Sequence, residues 1–427
     1  MRRTFPALLL LAACSSYEPA PWEPRDLLRE LREIRVELPA DGLDADQAAA
    51  IALIHHPGLA ALRREHEIAD NVVLAEGAWK NPEIRLGLQN LVAGAANPIS
   101  LALGLRFFPA VPGESDALVA RATARRKRVL AEIEDREARV AAETRIAHAK
   151  AALLDEKLKL VEAARLVHER LVTGVRQRVA AQAATRIDET LAFLKREDLE
   201  RELLTLTGQR DVALAELAAL LGIDPATPIR IRPSAAAASP LPSQDRLEED
   251  ALNGRSDLKA LREEYEVREQ SLRLAHLAHV FWPTFLQPGA RVQSGDWGGA
   301  FSAGLEIPIF NSGSADIAVE ESRRRQARDA YRARLHAVRL EIQLASIRLR
   351  DAGRRLRHAT DRQGPLLRQS EELVKAVIDA GETDALKLIS IETRLLDARR
   401  DEADFRFETE RARIQLLLAT GSIFLPR

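Results

Sequence analysis

Two hydrophobic periods occur along the chain, and each predicts a different kind of element. In four short segments, apolar and polar residues alternate with a period of two: 83–89, 99–107, 286–293 and 301–307. Strands of about ten residues with one apolar and one polar face are typical of outer-membrane proteins. A half-buried sheet packed on helices in a soluble protein would produce the same alternation.

Elsewhere the apolar period is helical. Residues 114–179 contain no proline and a single glycine, Gly174, which predicts one continuous helix about 100 Å long. Apolar residues recur every seven positions in this segment, with His168 as the one polar residue of the series, and a second seven-residue series covers 331–373. A sustained heptad pattern predicts coiled-coil packing between long helices.

Each long helix is expected to reverse and return. The second reversal is at 380–384, where a glycine suits the left-handed helix end and Thr or Asp caps the returning helix. The first, at 180–185, has no glycine and is placed by matching the two halves of the chain. The return helices are predicted to end at Gly222 and Gly421, and Pro365 is predicted to kink the second long helix.

The helix before the first strand pair has its own start and stop signals. Asp44, with Gln47 three residues later, forms a capping-box pattern. Asn81 and Pro82 interrupt the helical pattern, so a single helix is predicted from Asp44 to about Trp79.

The same order of elements occurs twice. Residues 59–67 (LAALRREHE) return as 258–266 (LKALREEYE), with six of nine positions identical at an offset of 199, and the predicted helix ends Gly222 and Gly421 have the same offset. This period is too long for a stacked solenoid and predicts two equivalent halves. The expected organisation is a first half at 43–222, a linker at 223–244, a second half at 245–421 and a tail at 422–427.

The N-terminus is typical of an export signal. Two arginines precede the apolar run 5–11, which is too short to span a bilayer as a helix, and Leu11-Ala-Ala-Cys14 matches the bacterial lipoprotein box. We therefore expect a signal peptide at 1–13, lipidation of Cys14 and a proline-rich tether at 14–42. The tether lacks a clear hydrophobic period and is expected either to wrap the body or to stay partly mobile. The serines after Cys14 favour the outer membrane. An ordinary secretory signal with an incidental cysteine is the alternative.

Composition and charge limit the functional classes. With 63 basic and 64 acidic residues, the chain has no general attraction to nucleic acid. We find no phosphate loop, nucleophile elbow or isolated carboxylate pair, and we expect neither an enzyme nor a cofactor. His276 and His279 could share one helix face, but no cluster completes a tetrahedral metal site. No apolar run beyond residue 14 reaches the length of a transmembrane helix, so any membrane-spanning part must be β.

This arrangement resembles the TolC-like outer-membrane factors of tripartite efflux systems, particularly their lipoprotein branch. The likeness covers 43–421 and rests on the duplicated layout, the LAALR-type entry motif, the Gly-Glu-Thr hairpin tip and the Leu-rich ends that finish in Gly. It implies an α+β membrane protein in which each half supplies two transmembrane β-strands and a long α-helical coiled-coil hairpin. Three copies would form a β-barrel plus an α-barrel, since four strands cannot close a barrel alone.

The resemblance also implies a function. The implied function is that of a passive exit duct in the outer membrane, which extends into the periplasm. The duct would receive substrates from a periplasmic adaptor and an inner-membrane pump of the resistance-nodulation-division type. The implied partners are two further copies of the chain, the adaptor, the pump and outer-membrane lipid. A duct for type I protein secretion and a coiled-coil lipoprotein without a channel are the alternatives. The substrate and the cognate pump are not identified by the sequence.

The resemblance places adaptor contacts and a closable mouth at the hairpin tips. The implied adaptor contacts are Ala181, Gln182, Thr185 and Arg186 at the first tip and Gly381, Glu382, Thr383 and Asp384 at the second. The gate candidates are Asp188, Glu189, Lys387 and Ser390. Family members often carry an aspartate six residues after the second tip glycine, where it contributes to an acidic ring. Lys387 occupies this position here, which argues against a cation-selective ring of that kind.

Overall fold

A computed structural model describes residues 18–34, 36–90, 99–233, 241–293, 296–307, 309, 311–379 and 385–424. The lipidation candidate Cys14 and the second hairpin tip at 380–384 lie outside these residues. The first half contains α1 (Pro24–Glu33), α2 (Ala45–His55), α3 (Pro57–Glu76), β1 (Glu83–Asn90), β2 (Ile99–Arg106), α4 (Glu114–Ala180) and α5 (Arg186–Leu221). The second contains α6 (Gln244–Gly254), α7 (Ser256–Leu277), β3 (Pro283–Gln293), β4 (Asp296–Leu305), α8 (Ser314–Arg357), a π-helical turn (His358–Gln363), α9 (Gly364–Asp379) and α10 (Ala385–Ala419).

The duplicated order of elements is confirmed, and it extends to the way each return helix ends. Gly222 and Gly421 have φ angles of 69° and 70°, in the left-handed region that favours glycine. A Cβ on Gly222 would lie 2.3 Å from the carbonyl oxygen of His55, and a Cβ on Gly421 would lie 2.5 Å from the carbonyl carbon of Gly254. His55 ends α2 and Gly254 ends α6, and these two residues are themselves 199 apart. In each half, the end of the return helix therefore crosses the backbone at the end of the equivalent short helix.

The single helix predicted from Asp44 to Trp79 is wrong, because the chain forms two helices there. The capping box at Asp44 is present, with Gln47 N donating to the Asp44 Oδ1 at 2.8 Å. The break lies at His56, which has an extended backbone and ends α2 before Pro57 begins α3. Proline disfavours helical geometry in the residue before it. His56 Nδ1 then caps α3 by accepting from Gly58 N at 3.1 Å.

The proline-rich tether, whose sequence lacks a clear hydrophobic period, contains one helix, α1. Pro24 occupies its first turn, where the missing N–H costs no helical hydrogen bond. The helix is exposed along its length and carries an Asp26–Arg29 ion pair at 2.8 Å. The following segment joins the body at Leu43, whose N–H donates to Arg230 O at 2.8 Å.

The four strands form one antiparallel sheet in the order β1-β2-β3-β4. The two halves therefore contribute adjacent hairpins to a single sheet, joined where β2 pairs with β3. Within the described part of the chain, β1 and β4 each pair with one strand, so both outer edges of the sheet are open.

The long helices form one layer below the sheet. α4 packs against α5 and α10, and α10 packs against α8, which gives the lateral order α5–α4–α10–α8. Many of the buried contacts are alanines, which allow close approach of the helices. Pro365 lies in the first turn of α9, directly after the π-helical turn. At the position of the predicted kink, the helix forms a wider, π-helical turn, which accommodates the missing N–H of Pro365.

Candidate channel surface and hairpin tips

The strand register places most of the large apolar residues of the four strands on one face. Residues that pair directly share a face of a sheet, and one row across the sheet consists of Leu88, Leu101, Val292 and Trp297. A second row consists of Leu86, Leu103, Ala290 and Gly299. The larger side chains are open to solvent in the isolated chain, with Leu88 76% and Trp297 79% exposed. A face of this kind requires an apolar environment.

The opposite face of the sheet is more polar and contains a linked group of side chains. Arg106 Nε donates to Gln287 Oε1 at 3.1 Å, and the Arg106 guanidinium lies 4.0 Å from the centre of the Phe285 ring. Gln287 and Phe285 occupy the space above two glycines: a Cβ on Gly104 would lie 2.7 Å from Gln287 Nε2, and one on Gly304 would lie 2.3 Å from Phe285 Cε1. These two glycines therefore make room for side chains on the polar face.

The first hairpin tip reverses without a glycine because Gln182 adopts a left-handed conformation. Its φ is 59°, which makes it the one non-glycine residue with positive φ in the described chain. Thr185 then caps α5: Asp188 N donates to Thr185 Oγ1 at 3.2 Å, and Thr185 N donates to Asp188 Oδ2 at 2.9 Å. Ala181 and Arg186 are exposed on either side of the turn. The four predicted contact residues of this tip therefore lie together.

The gate candidates lie at the starts of two helices, α5 and α10. Asp188 serves as the reciprocal cap of α5, and Glu189 pairs with Arg176 of the same hairpin at 3.0 Å. Lys387 and Ser390 are exposed on α10, near the start of that helix. The predicted contacts of the second tip, Gly381, Glu382, Thr383 and Asp384, lie outside the described residues.

A small apolar cluster near the tips joins both hairpins. It contains Leu171, Val172 and Val175 of α4, Ala192 of α5, Val374 of α9 and Leu388 of α10. Lys387 directly precedes Leu388 and therefore lies at the edge of the cluster that joins the two hairpins.

A buried histidine–carboxyl pair, which the sequence did not reveal as a pair, lies above this cluster. His168 Nε2 of α4 is 3.7 Å from Glu392 Oε2 of α10, too long for a hydrogen bond, and the side chains are 2% and 12% exposed. Burial, together with the nearby charge of Lys195, lowers the pKa of His168 to about 4. Burial also raises the pKa of Glu392 to about 7. A neutral imidazole thus faces a carboxyl group that titrates near neutral pH.

Glu392→Gln is expected to stabilise the protein increasingly as pH rises. The unfolded carboxyl loses its proton near pH 4.5 and the folded one near 7, so wild-type stability from this group falls as pH rises through that interval. The glutamine stays neutral. Its advantage over wild type should therefore grow by about 2 kcal/mol between pH 5 and pH 8, measured by thermal unfolding followed by circular dichroism.

The exposed Glu372 on α9 provides the matched control for this measurement. Glu372→Gln removes the same charge from a solvated position and should show no comparable dependence on pH. A pH-independent effect of Glu392→Gln would show that its carboxyl group is already ionised at pH 5 in the folded protein.

Neither a membrane-spanning helix nor a metal cluster occurs in the described ranges. Each helix there is too short or too polar to cross a membrane. In the same ranges, no group of three or more His, Cys, Asp or Glu side chains is arranged to hold a metal ion.

Solved structures with the same architecture are outer-membrane channels. No protein-family model and no curated protein matches the sequence. The chain is similar to the outer membrane protein VceC of Vibrio cholerae, at 19% identity and a TM-score of 0.67 over 88% of this chain and 96% of VceC. It is also similar to the outer-membrane channel OprN (16%, 0.73, 88% and 90%) and to the CmeC outer membrane channel of Campylobacter jejuni (13%, 0.71, 97% and 91%).

These likenesses extend over nearly the full length of both partners in each comparison. At such low identity they concern the fold, and they confirm at that level the resemblance found in the sequence. The chain therefore has the fold of the TolC-like outer-membrane channels.

Proposed function

We propose that this protein is the outer-membrane exit duct of a tripartite efflux system. The observation that carries the proposal is the four-stranded sheet, which has one apolar face and two open edges directly above a layer of very long helices. In a membrane, unpaired strand edges leave backbone groups without hydrogen bonds, so they must pair with other strands. Three copies of the chain would supply twelve strands and close the barrel.

The remaining parts of the chain suit this role. The apolar strand faces would contact outer-membrane lipid, and the helices would extend the duct into the periplasm, with lipid on Cys14 as an additional anchor. The hairpin tips, including Gln182 and Thr185, would contact a periplasmic adaptor that connects the duct to an inner-membrane pump. A coiled-coil spacer without a channel would have no need for a sheet with an exposed apolar face.

The closable end is proposed to lie near Lys387, which is exposed next to the cluster that joins the two hairpins. Threefold symmetry would place three copies of this side chain around the mouth, where each could pair with a carboxylate of a neighbouring hairpin. Such pairs contribute only about 0–1 kcal/mol each. They can therefore hold a mouth closed and still yield to a partner.

Single-channel conductance in planar bilayers tests both the duct and its gate. The purified wild-type protein should insert and show a small closed-state conductance, and Lys387→Glu should raise this conductance because it places like charges around the mouth. Lys159→Glu makes the same charge change at an exposed site on α4, far from the tip, and should leave conductance unchanged. Absence of channels from correctly folded protein would contradict the duct, whereas unchanged conductance in Lys387→Glu would contradict only the gate.

A further inference from the structure

The helical layer of each chain has two open edges, as the sheet has. The lateral order α5–α4–α10–α8, with α9 continuing α8, leaves α5 at one edge and α8–α9 at the other. A closed ring of identical chains uses head-to-tail contacts, in which one edge of a chain meets the opposite edge of the next. The side chains on these two edges therefore face each other if the ring forms.

The outer face of α5 carries both apolar and acidic residues. Its inner face packs on α4 through Leu199, Leu206 and Ala213, which are buried and seven residues apart. Residues two positions away lie on the far side of the helix, since each residue turns about 100°. Leu204 is 70% exposed there, and the side chain of Asp211 is 67% exposed.

The outer face of α8–α9 carries a basic and an apolar residue, which complement the acidic and apolar residues of α5. The inner face of α8 is buried at Ala345 and Ala352. Two positions further on, the Arg354 side chain is 71% exposed, with Asp351 of its own helix 3.6 Å away. On α9, Leu366 is 63% exposed.

Ion pairs within the chain fix the relative heights of the two edges. Three pairs link the helices in order: Arg400–Glu202 at 2.5 Å, Arg355–Glu408 at 3.6 Å and Arg399–Glu371 at 3.0 Å. The first aligns α10 with α5, which runs in the same direction. The second then places Arg354 level with Asp211 on the opposite edge. The third places Leu366 within about one helical turn of the height of Leu204.

We propose that α5 of one copy docks against α8–α9 of the next copy, with Asp211 opposite Arg354 and Leu204 against Leu366. The inference rests on the proposed function, because it requires the ring that the channel needs. The leucines supply apolar contact. The charge pair adds little affinity at an exposed site, but it sets direction and register, because a reversed or shifted neighbour would lose it.

Disulfide crosslinking tests the leucine contact in the full-length protein. The sequence contains one cysteine, Cys14, so Leu204→Cys combined with Leu366→Cys introduces a defined pair. Mild oxidation of the detergent-solubilised protein should link most chains into dimers and trimers, and each single variant should stay unlinked. Leu194→Cys with Leu366→Cys is the matched control: residue 194 lies about 15 Å below residue 204 along α5, beyond the reach of a disulfide.

The outcomes distinguish the proposed contact between α5 and α8–α9 of neighbouring copies, here called the seam, from the proposed duct. An oligomer by light scattering that shows no Leu204–Leu366 crosslink would overturn the seam and leave the duct intact. Equal crosslinking of the test and control pairs would overturn the proposed register. A protein that stays monomeric would overturn both the seam and the duct.

A charge exchange tests the ion pair independently. Asp211→Arg and Arg354→Asp should each lower the recovery of oligomer severalfold, and the two together should restore it. Because the two residues lie on opposite edges of one chain, restoration has to arise between copies. Arg348→Asp is the control, since it reverses an exposed charge on another face of α8, and it should leave recovery near wild type. A double variant as defective as the singles would overturn the pair.

Discussion

Ala290→Arg is expected to prevent assembly in the outer membrane, whereas Ala300→Arg is tolerated. Ala290 pairs with Leu103 and lies in the apolar row of the sheet. Ala300 pairs with Gly289, one position away in the same pair of strands, and lies on the polar face. An arginine facing lipid near the bilayer midplane costs about 2–4 kcal/mol, and a ring of three copies incurs this cost three times. An arginine facing water in the lumen avoids it.

The measurement is the amount of heat-labile oligomer in outer-membrane fractions, with total exported protein as the reference. The pair is closely matched, because the substitution, the sheet and the depth are the same and only the face differs. Gly104 and Gly304 would be poorer sites for the water-facing control, since Gln287 and Phe285 fill the space above them. Equal loss of assembly in both variants would contradict a transmembrane barrel.

The strands were predictable because their signal is local. Alternation specifies which residues share a face, and it does so in each segment without knowledge of the neighbours. The register then aligned Leu88, Leu101, Val292 and Trp297 in one row. The alternation did not reveal what lies on the polar face, where Phe285 and Arg106 stack. That contact depends on the pairing of strands from different halves.

The conformation of the first hairpin tip could be predicted only in part from its local sequence. Residues 180–185 contain no glycine, and Gln182 adopts the left-handed conformation instead. Such a conformation costs a non-glycine residue about 1–2 kcal/mol, and the packing of the two long helices, together with the Thr185 cap, holds it in place. Tertiary packing therefore outweighs the local preference at this turn.

Pro57 and Glu392 were missed for different reasons. The break at Pro57 had a clear sequence signal, but the helical pattern on both sides of it concealed the boundary. Glu392 lies four residues after Leu388 and four before Leu396, both of which are buried. Its spacing therefore places it on the buried face of α10. An acidic residue at a buried position could have indicated a partner on another helix. The identity of that partner, His168, follows only from the packing of α4 on α10.

Gly222→Ala and Gly421→Ala are expected to be among the most destabilising single substitutions in the chain. Each glycine ends a return helix in the left-handed conformation, and a Cβ would meet the backbone of the crossing segment at 2.3 Å from His55 O or 2.5 Å from Gly254 C. Backbone atoms cannot move aside as a side chain can. The conformational cost and the collision together should lower the free energy of unfolding by about 3–5 kcal/mol.

The equality of the two effects is the sharper expectation, because the two glycines occupy equivalent crossings in the duplicated halves. Helical unfolding followed by circular dichroism in detergent measures both variants. Gly174→Ala is the control: Gly174 lies inside α4, where an added Cβ would meet no atom within 4 Å, and alanine favours the helix by about 0.5–1 kcal/mol. If Gly421→Ala were as mild as Gly174→Ala while Gly222→Ala was severe, the first half alone would depend on its crossing. The structural equivalence of the two halves would then not extend to their stability.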